Sequence, residues 1–164
     1  MSEQDTEGYV NGADTAPTAG VISQYVKDLS FENPNAPAVY QSQSQPAIDV
    51  QFNIATSPLA EGVFEVELKI EVKAMDEDTA VFIVDLTYAG LFGLRNIPDE
   101  HLQPFLLGEA PRILFPFARR IIADAVRDGG FPPLMLEPID FQALYLQQVQ
   151  AQGITGTIEG IGQA

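Results

Sequence analysis

The residues with the chemistry to act as catalysts are few and do not converge. His101 is the single histidine, and no evident serine, cysteine or metal-ligating partner accompanies it. The chain has no cysteine, which excludes disulfides, thiolate nucleophiles and cysteine-ligated zinc. Asp76-Glu77-Asp78 puts three acids side by side, but no EF-hand pattern surrounds them, and they read as a solvated turn. Gly90-x-x-Gly93 lacks the remainder of a dinucleotide or phosphate-loop motif. Gly129-Gly130 follows a helical stretch instead of leading into one, the wrong side for anion binding. The sequence therefore offers no catalytic, cofactor-binding or metal-binding set.

Two other kinds of chemistry remain. One is charge: 23 acidic against eight basic residues give a formal net charge of −15. Nucleic acid and anionic lipid are poor partners for such a surface, and a basic protein is a better one. Asp28 and Glu32 form an acidic pair on the wet side of one extended segment. The other is apolar excess. Ten Phe and five Tyr, with apolar residues at Tyr40, in the fourth strand and on the last helix, exceed what a small core hides. Subunit assembly, or a groove for apolar ligands or extended chains, would use that surface.

These features need elements to hold them. Val63 to Lys73 reads VFEVELKIEVK, a strict alternation that fits a strand with one buried and one wet face. Four segments share this character: 24–32, 48–54, 63–73 and 79–88. In the first, Tyr25, Lys27, Leu29 and Phe31 are expected on one face. Asn33 to Pro37 breaks regular structure, and Gln41 to Gln45 is a polar loop. Thr56-Ser57-Pro58 through Glu61-Gly62 reads as a turn, as does 76–78. The fourth segment is apolar on much of both sides. Short turns between successive strands imply antiparallel pairing.

After Gly90 the period lengthens. A short helix is expected over 98–107 and a longer one over 111–127, where Leu114, Phe117, Ala118, Ile121, Ile122 and Ala125 form an apolar stripe. Pro111 suits a helix start, Pro116 should kink it, and Gly129-Gly130 ends it. Asp140 is placed to cap a last helix over 141–151. The organisation read from composition is an acidic disordered tail (1–20), one domain (21–151) and a flexible C-terminal tail (152–164). No signal-peptide run and no membrane-spanning run is present, so a soluble, unexported, cytoplasmic protein is expected.

Three blocks carry a resemblance. Asp28-Leu-Ser-Phe-Glu-Asn-Pro-Asn-Ala-Pro37, Arg112-Ile-Leu-Phe-Pro-Phe-Ala-Arg119 and Phe131-Pro-Pro-Leu-Met-Leu-Glu-Pro-Ile-Asp-Phe-Gln-Ala-Leu144 resemble, in order and spacing, the signatures of the SecB family of bacterial export chaperones. The likeness runs from about Tyr25 to Gln150. It implies an α+β fold, a four-stranded antiparallel sheet followed by two main helices, assembled as a dimer of dimers. It implies an ATP-independent holdase that keeps precursor proteins unfolded and delivers them to the SecA motor, with no cofactor and no enzymatic activity. Carried over by alignment, Asp28, Glu32, Ile83 and Asp85 are the expected SecA contacts. Tyr40, Ile48, Val50, Phe52, Tyr145, Leu146 and Val149 are the expected client groove. Ser44 departs from the pattern, since many relatives carry tryptophan there. An oligomeric sheet-and-helix protein that binds or hydrolyses a small ligand is the alternative.

Overall fold

The computed structural model describes residues 15–152 and 157–159. Its elements run β1 (Thr18–Glu32), β2 (Ala47–Ala60), β3 (Val63–Asp76), β4 (Thr79–Arg95), α1 (Asp99–Pro104), α2 (Ala110–Asp128), α3 (Phe141–Gln152) and β5 (Thr157–Glu159). The sheet order is β1-β4-β3-β2-β5 and every pairing is antiparallel. β2, β3 and β4 follow one another through tight turns. β1 lies at the far edge beside β4, so the connection 33–46 spans from one side of the sheet to the other, a Greek-key arrangement. The expected four-stranded sheet and two main helices are present.

The alternation in β3 decides which side is covered. Val66, Leu68, Ile70, Val72 and Ala74 are buried, and Glu65, Glu67, Lys69, Glu71 and Lys73 point the other way. Val84, Leu86 and Phe92 of β4 and Phe52 and Ile54 of β2 join the buried side. α2 closes that side through Leu114, Ala118, Ile122 and Val126, each fully buried. Phe115 and Ala123 are buried with them, so the buried face is turned from the predicted stripe towards these two, and Phe117 falls outside it, exposed and stacked on Tyr88. Among the described residues, the opposite side of the sheet carries no helix.

Four sequence expectations shift. β1 begins at Thr18, inside the stretch read as tail, because Thr18 to Gly20 pair with Gly93 to Arg95. β2 continues through Pro58 to Ala60; Pro58 lies opposite Phe64 on an outer strand, where a missing N–H is tolerated. β4 runs past Gly90 to Arg95. Gly90 is a contact point rather than a stop: a Cβ there would come within 2.9 Å of the Leu114 side chain above it. The C-terminal region read as flexible contains β5, paired with Asn53 to Ala55.

The helical region also differs. A π-helical turn over Phe105–Glu109 joins α1 to α2 without a break, and buries Leu106 and Leu107. Pro111 then falls in the first turn of α2, where its missing N–H costs least, and α2 runs through the exposed Pro116. Asp140 caps α3 as expected, its Oδ1 accepting from the Ala143 N–H at 3.0 Å.

Candidate functional site

Two surfaces gather the chemistry found in the sequence. The first is the uncovered side of the sheet. β1 reaches it with a change of phase, since the register slips between Val26 and Asp28 and leaves Lys27 as the extra residue of a bulge. Tyr25 and Lys27 therefore share a side with Asp28, Ser30 and Glu32, while Val26, Leu29 and Phe31 face the helices. This corrects the alternation expected for the strand. Side-chain contacts fix the assignment: Tyr25 donates its hydroxyl hydrogen to Glu65, Lys27 pairs with Glu65 and Glu67, and the Phe31 ring lies 6.1 Å from Phe82.

Below the bulge, Glu32 lies opposite Ile83, Ser30 opposite Asp85, and Asp28 opposite Thr87. Asp28 and Glu32 of β1 and Ile83 and Asp85 of β4, the four expected SecA contacts, are thus neighbours on one flat patch. Glu71 of β3 lies opposite Asp85 and extends the acidic row. Desolvation raises the Asp85 carboxyl above its ordinary range, Glu71 and Asp28 push it the same way, and Lys69 opposes them. Beside it is a shallow cavity of about 390 Å³ lined by Gln51, Asn53, Lys69, Glu71 and Asp85. Upstream, the carboxyl of Glu65 is held below its usual range, first by the Tyr25 hydroxyl and then by Lys27, against an opposing effect of burial. Burial, and then the hydrogen bond to Glu65, pushes the Tyr25 hydroxyl up to about 12. Lys27 so engages Glu65 and Glu67, while the pairing leaves Asp28, Glu32 and Asp85 to present negative charge outward.

The second surface is an apolar groove on the helix side of β2. The proline-rich segment 131–139 forms neither helix nor strand and lies against this strand. A cavity of about 580 Å³ opens between Tyr40, Ser44, Ile48, Phe82, Phe131 and Pro133. A second, of about 200 Å³, follows between Ile48, Val50, Phe52, Met135, Leu136 and Ile139. Ile48 belongs to both, so the groove tracks β2. Tyr40 sits on a single 3-10 turn (Ala38–Gln41), 48% exposed. Its ring packs 5.4 Å from Phe131, its hydroxyl donates to the Gly129 carbonyl at 2.7 Å, and it accepts from Asn33 Nδ2 at 2.8 Å. Gly130 turns away from α2 at φ 90°, and its bare Cα lets the Tyr40 ring approach.

The expected groove residues divide accordingly. Tyr40, Ile48, Val50 and Phe52 line the two cavities. The residues of α3 do not: Tyr145 is in the core at 6% exposure, Val149 packs half-buried against the core, and Leu146 is 56% exposed on the outside. The walls that the expectation missed are Phe82 and the segment 131–139, whose Met135 is 62% exposed. Their signal was an apolar run held straight by Pro132, Pro133 and Pro138.

A third feature is apolar and exposed. Val21, Ile22, Val26 and Leu29 of β1 are exposed, as is Phe117 of α2, which stacks on Tyr88, the partner of Val26 in the sheet. Among the described residues, no helix is long and apolar enough to cross a membrane.

The family model for preprotein translocase subunit SecB matches residues 12–152. The protein-export protein SecB of Sphingopyxis alaskensis is 65% identical over 141 residues, 86% of this chain and 82% of that protein. That of Rhizorhabdus wittichii is 57% identical over the whole of both chains, and that of Zymomonas mobilis 60% identical over 92% of each. Among solved structures, a SecB-like chaperone of Mycobacterium tuberculosis, in complex with a peptide from an antitoxin, superposes with a TM-score of 0.63. It covers 74% of this chain and 90% of its own, at 20% identity, a likeness of fold. On the family match and the identities together, this chain belongs to the SecB family.

Proposed function

We propose that this chain is an ATP-independent export chaperone, a holdase that keeps precursor proteins unfolded in the groove along β2 and hands them to SecA at the acidic sheet face. It is a protein-export chaperone and not an enzyme, so the alternative of a ligand-binding or hydrolytic protein is set aside. The observation that carries the groove reading is the pair of cavities sharing Ile48. An elongated apolar trough, with Tyr40 and Met135 exposed at its rim, suits a chain that has not folded. Apolar contact is non-directional, so one trough accepts many sequences. The M. tuberculosis SecB-like chaperone, which shares the fold, is in complex with a peptide, which supports capture of peptide segments. Delivery to SecA is supported by the neighbouring positions of Asp28, Glu32, Ile83 and Asp85, because a flat sheet holds several carboxylates in one pattern. Self-association, as a homotetramer built as a dimer of dimers, is supported by the exposed apolar residues of β1 and Phe117; the cytoplasm is its proposed location.

The test is calorimetric titration with a secretory precursor, unfolded and folded, against the native chain and Met135→Asp. Binding of the unfolded form alone is expected, with at least a tenfold loss in the variant, since a carboxylate entering an apolar trough must be desolvated. Equal binding of folded and unfolded precursor would overturn the holdase reading. Unchanged affinity in a folded Met135→Asp variant would move the site elsewhere.

A further inference from the structure

β2 is the strand that lines the groove, and its outer edge is where the chain's own C-terminal segment sits. Thr157 to Glu159 pair antiparallel with Asn53 to Ala55, in the register Asn53 opposite Glu159 and Ala55 opposite Thr157. β5 covers only these three positions of β2. The stretch Ala47–Phe52, which supplies Ile48, Val50 and Phe52 to the groove, has β3 on one side and no strand opposite it on the other among the described residues. A strand edge of this kind is a template for another extended backbone. Continued in the same register, a chain seated on Asn53 to Ala55 would next run past Phe52 towards Ala47, directly beside the groove wall.

The sequence makes β5 a weak occupant. Thr157 and Ile158 favour a strand, but Gly153, Gly156, Gly160 and Gly162 flank it on both sides. Each glycine loses more freedom on ordering than another residue would. A three-residue strand adds little to offset that cost.

Resting on the holdase reading above, we propose that the outer edge of β2 is a strand-addition site for extended client backbone, and that Thr157–Glu159 is a built-in competitor which the client displaces. The occupant is an unfolded polypeptide in extended form; main-chain pairing on the edge adds sequence-independent affinity to the apolar contacts of the groove. The competitor lowers apparent affinity by the fraction of molecules in which the edge is free. A β5 docked half to nine-tenths of the time therefore weakens binding by about two- to tenfold.

The experiment uses reduced, carboxymethylated α-lactalbumin, a permanently unfolded probe, with the full chain, Ile158→Pro and a variant ending at Gln152. Proline at 158 fixes φ and is poorly accommodated inside so short a paired strand. Fluorescence anisotropy is expected to show both variants binding about two- to tenfold more tightly than the full chain. Hydrogen exchange at Asn53 to Ala55 is expected to be faster in the free variants than in the free full chain, and slow again in every complex. Equal or weaker affinity in both variants, or exchange at Asn53 to Ala55 that client leaves fast in the variants, would overturn the proposal while capture by the full chain leaves the holdase reading intact. Absence of any capture by all three proteins would overturn both.

Discussion

Asp28 and Glu32 reach solvent beside Ile83 and Asp85 because of a single inserted residue, Lys27, which resets the phase of β1. The acids then act as a set. Exposed ion pairs contribute only about 0–1 kcal/mol each, so no one carboxylate carries docking. The variant Asp28→Lys with Glu32→Lys is expected to abolish SecA binding while leaving capture of unfolded precursor unchanged. Calorimetry at two salt concentrations checks this. SecA affinity should fall with salt, because screening acts within about 8 Å at physiological ionic strength, and client affinity should barely move. Salt-independent SecA binding that survives both substitutions would defeat the assignment. Glu65 offers a second residue-level prediction. Its folded-state carboxyl lies below the unfolded one, so its stabilising effect is complete above the ordinary carboxylate range and is lost as pH falls through the folded value. Tyr25→Phe removes the largest cause of that shift. The Glu65 carboxyl should then titrate at higher pH, and the acid decline of the urea midpoint should begin earlier. Carboxyl NMR titration follows the first and urea unfolding the second; an unmoved titration would count against the Tyr25 contact.

Among the elements, α2 matters most to stability. Leu114, fully buried above Gly90, is expected to cost about 2–5 kcal/mol when changed to alanine, measured by chemical denaturation. A loss under about 1 kcal/mol would mean that α2 does not close the sheet as described. The elements themselves were largely legible. Strict alternation in β3 and the i, i+4 apolar spacing in α2 reflect burial on one side, and burial is what a sequence records most directly. The ends were less legible. Gly90 and Pro58 look like breaks, but the first serves a helix packed across the strand and the second an outer edge, both facts of tertiary contact. The bulge at Lys27 left no local mark, since Tyr25, Lys27, Leu29 and Phe31 alternate perfectly in sequence. Tyr145 likewise carries the apolar character that groove and core share, and only packing distinguishes the two. The acidic patch and the β2 half of the groove were readable through aligned signatures; the 131–139 wall was visible as an apolar, proline-rich run without a stated role.

For the whole molecule, the exposed β1 flank is the feature a monomer explains least. Val26→Asp with Phe117→Asp is expected to reduce the assembly from a tetramer to smaller species without unfolding the domain. Light scattering reads the mass and circular dichroism the fold. A native chain that scatters as a monomer at micromolar concentration would overturn the tetramer.

The Greek-key order has a further consequence in time. β1 leaves the ribosome first, yet its partner β4 begins only at Thr79, and β2 and β3 must be made and threaded alongside before the two can meet. A nascent β1 therefore waits with its backbone unpaired from Thr18 to Glu32, the stretch that β4 will take up. Closing so long a loop is entropically slow, and folding dominated by such distant pairings falls in the millisecond-to-second range. The hairpins β2–β3 and β3–β4 are local and form first; β1 locks last. During its own synthesis this chaperone of unfolded chains is briefly a chain of the kind it binds.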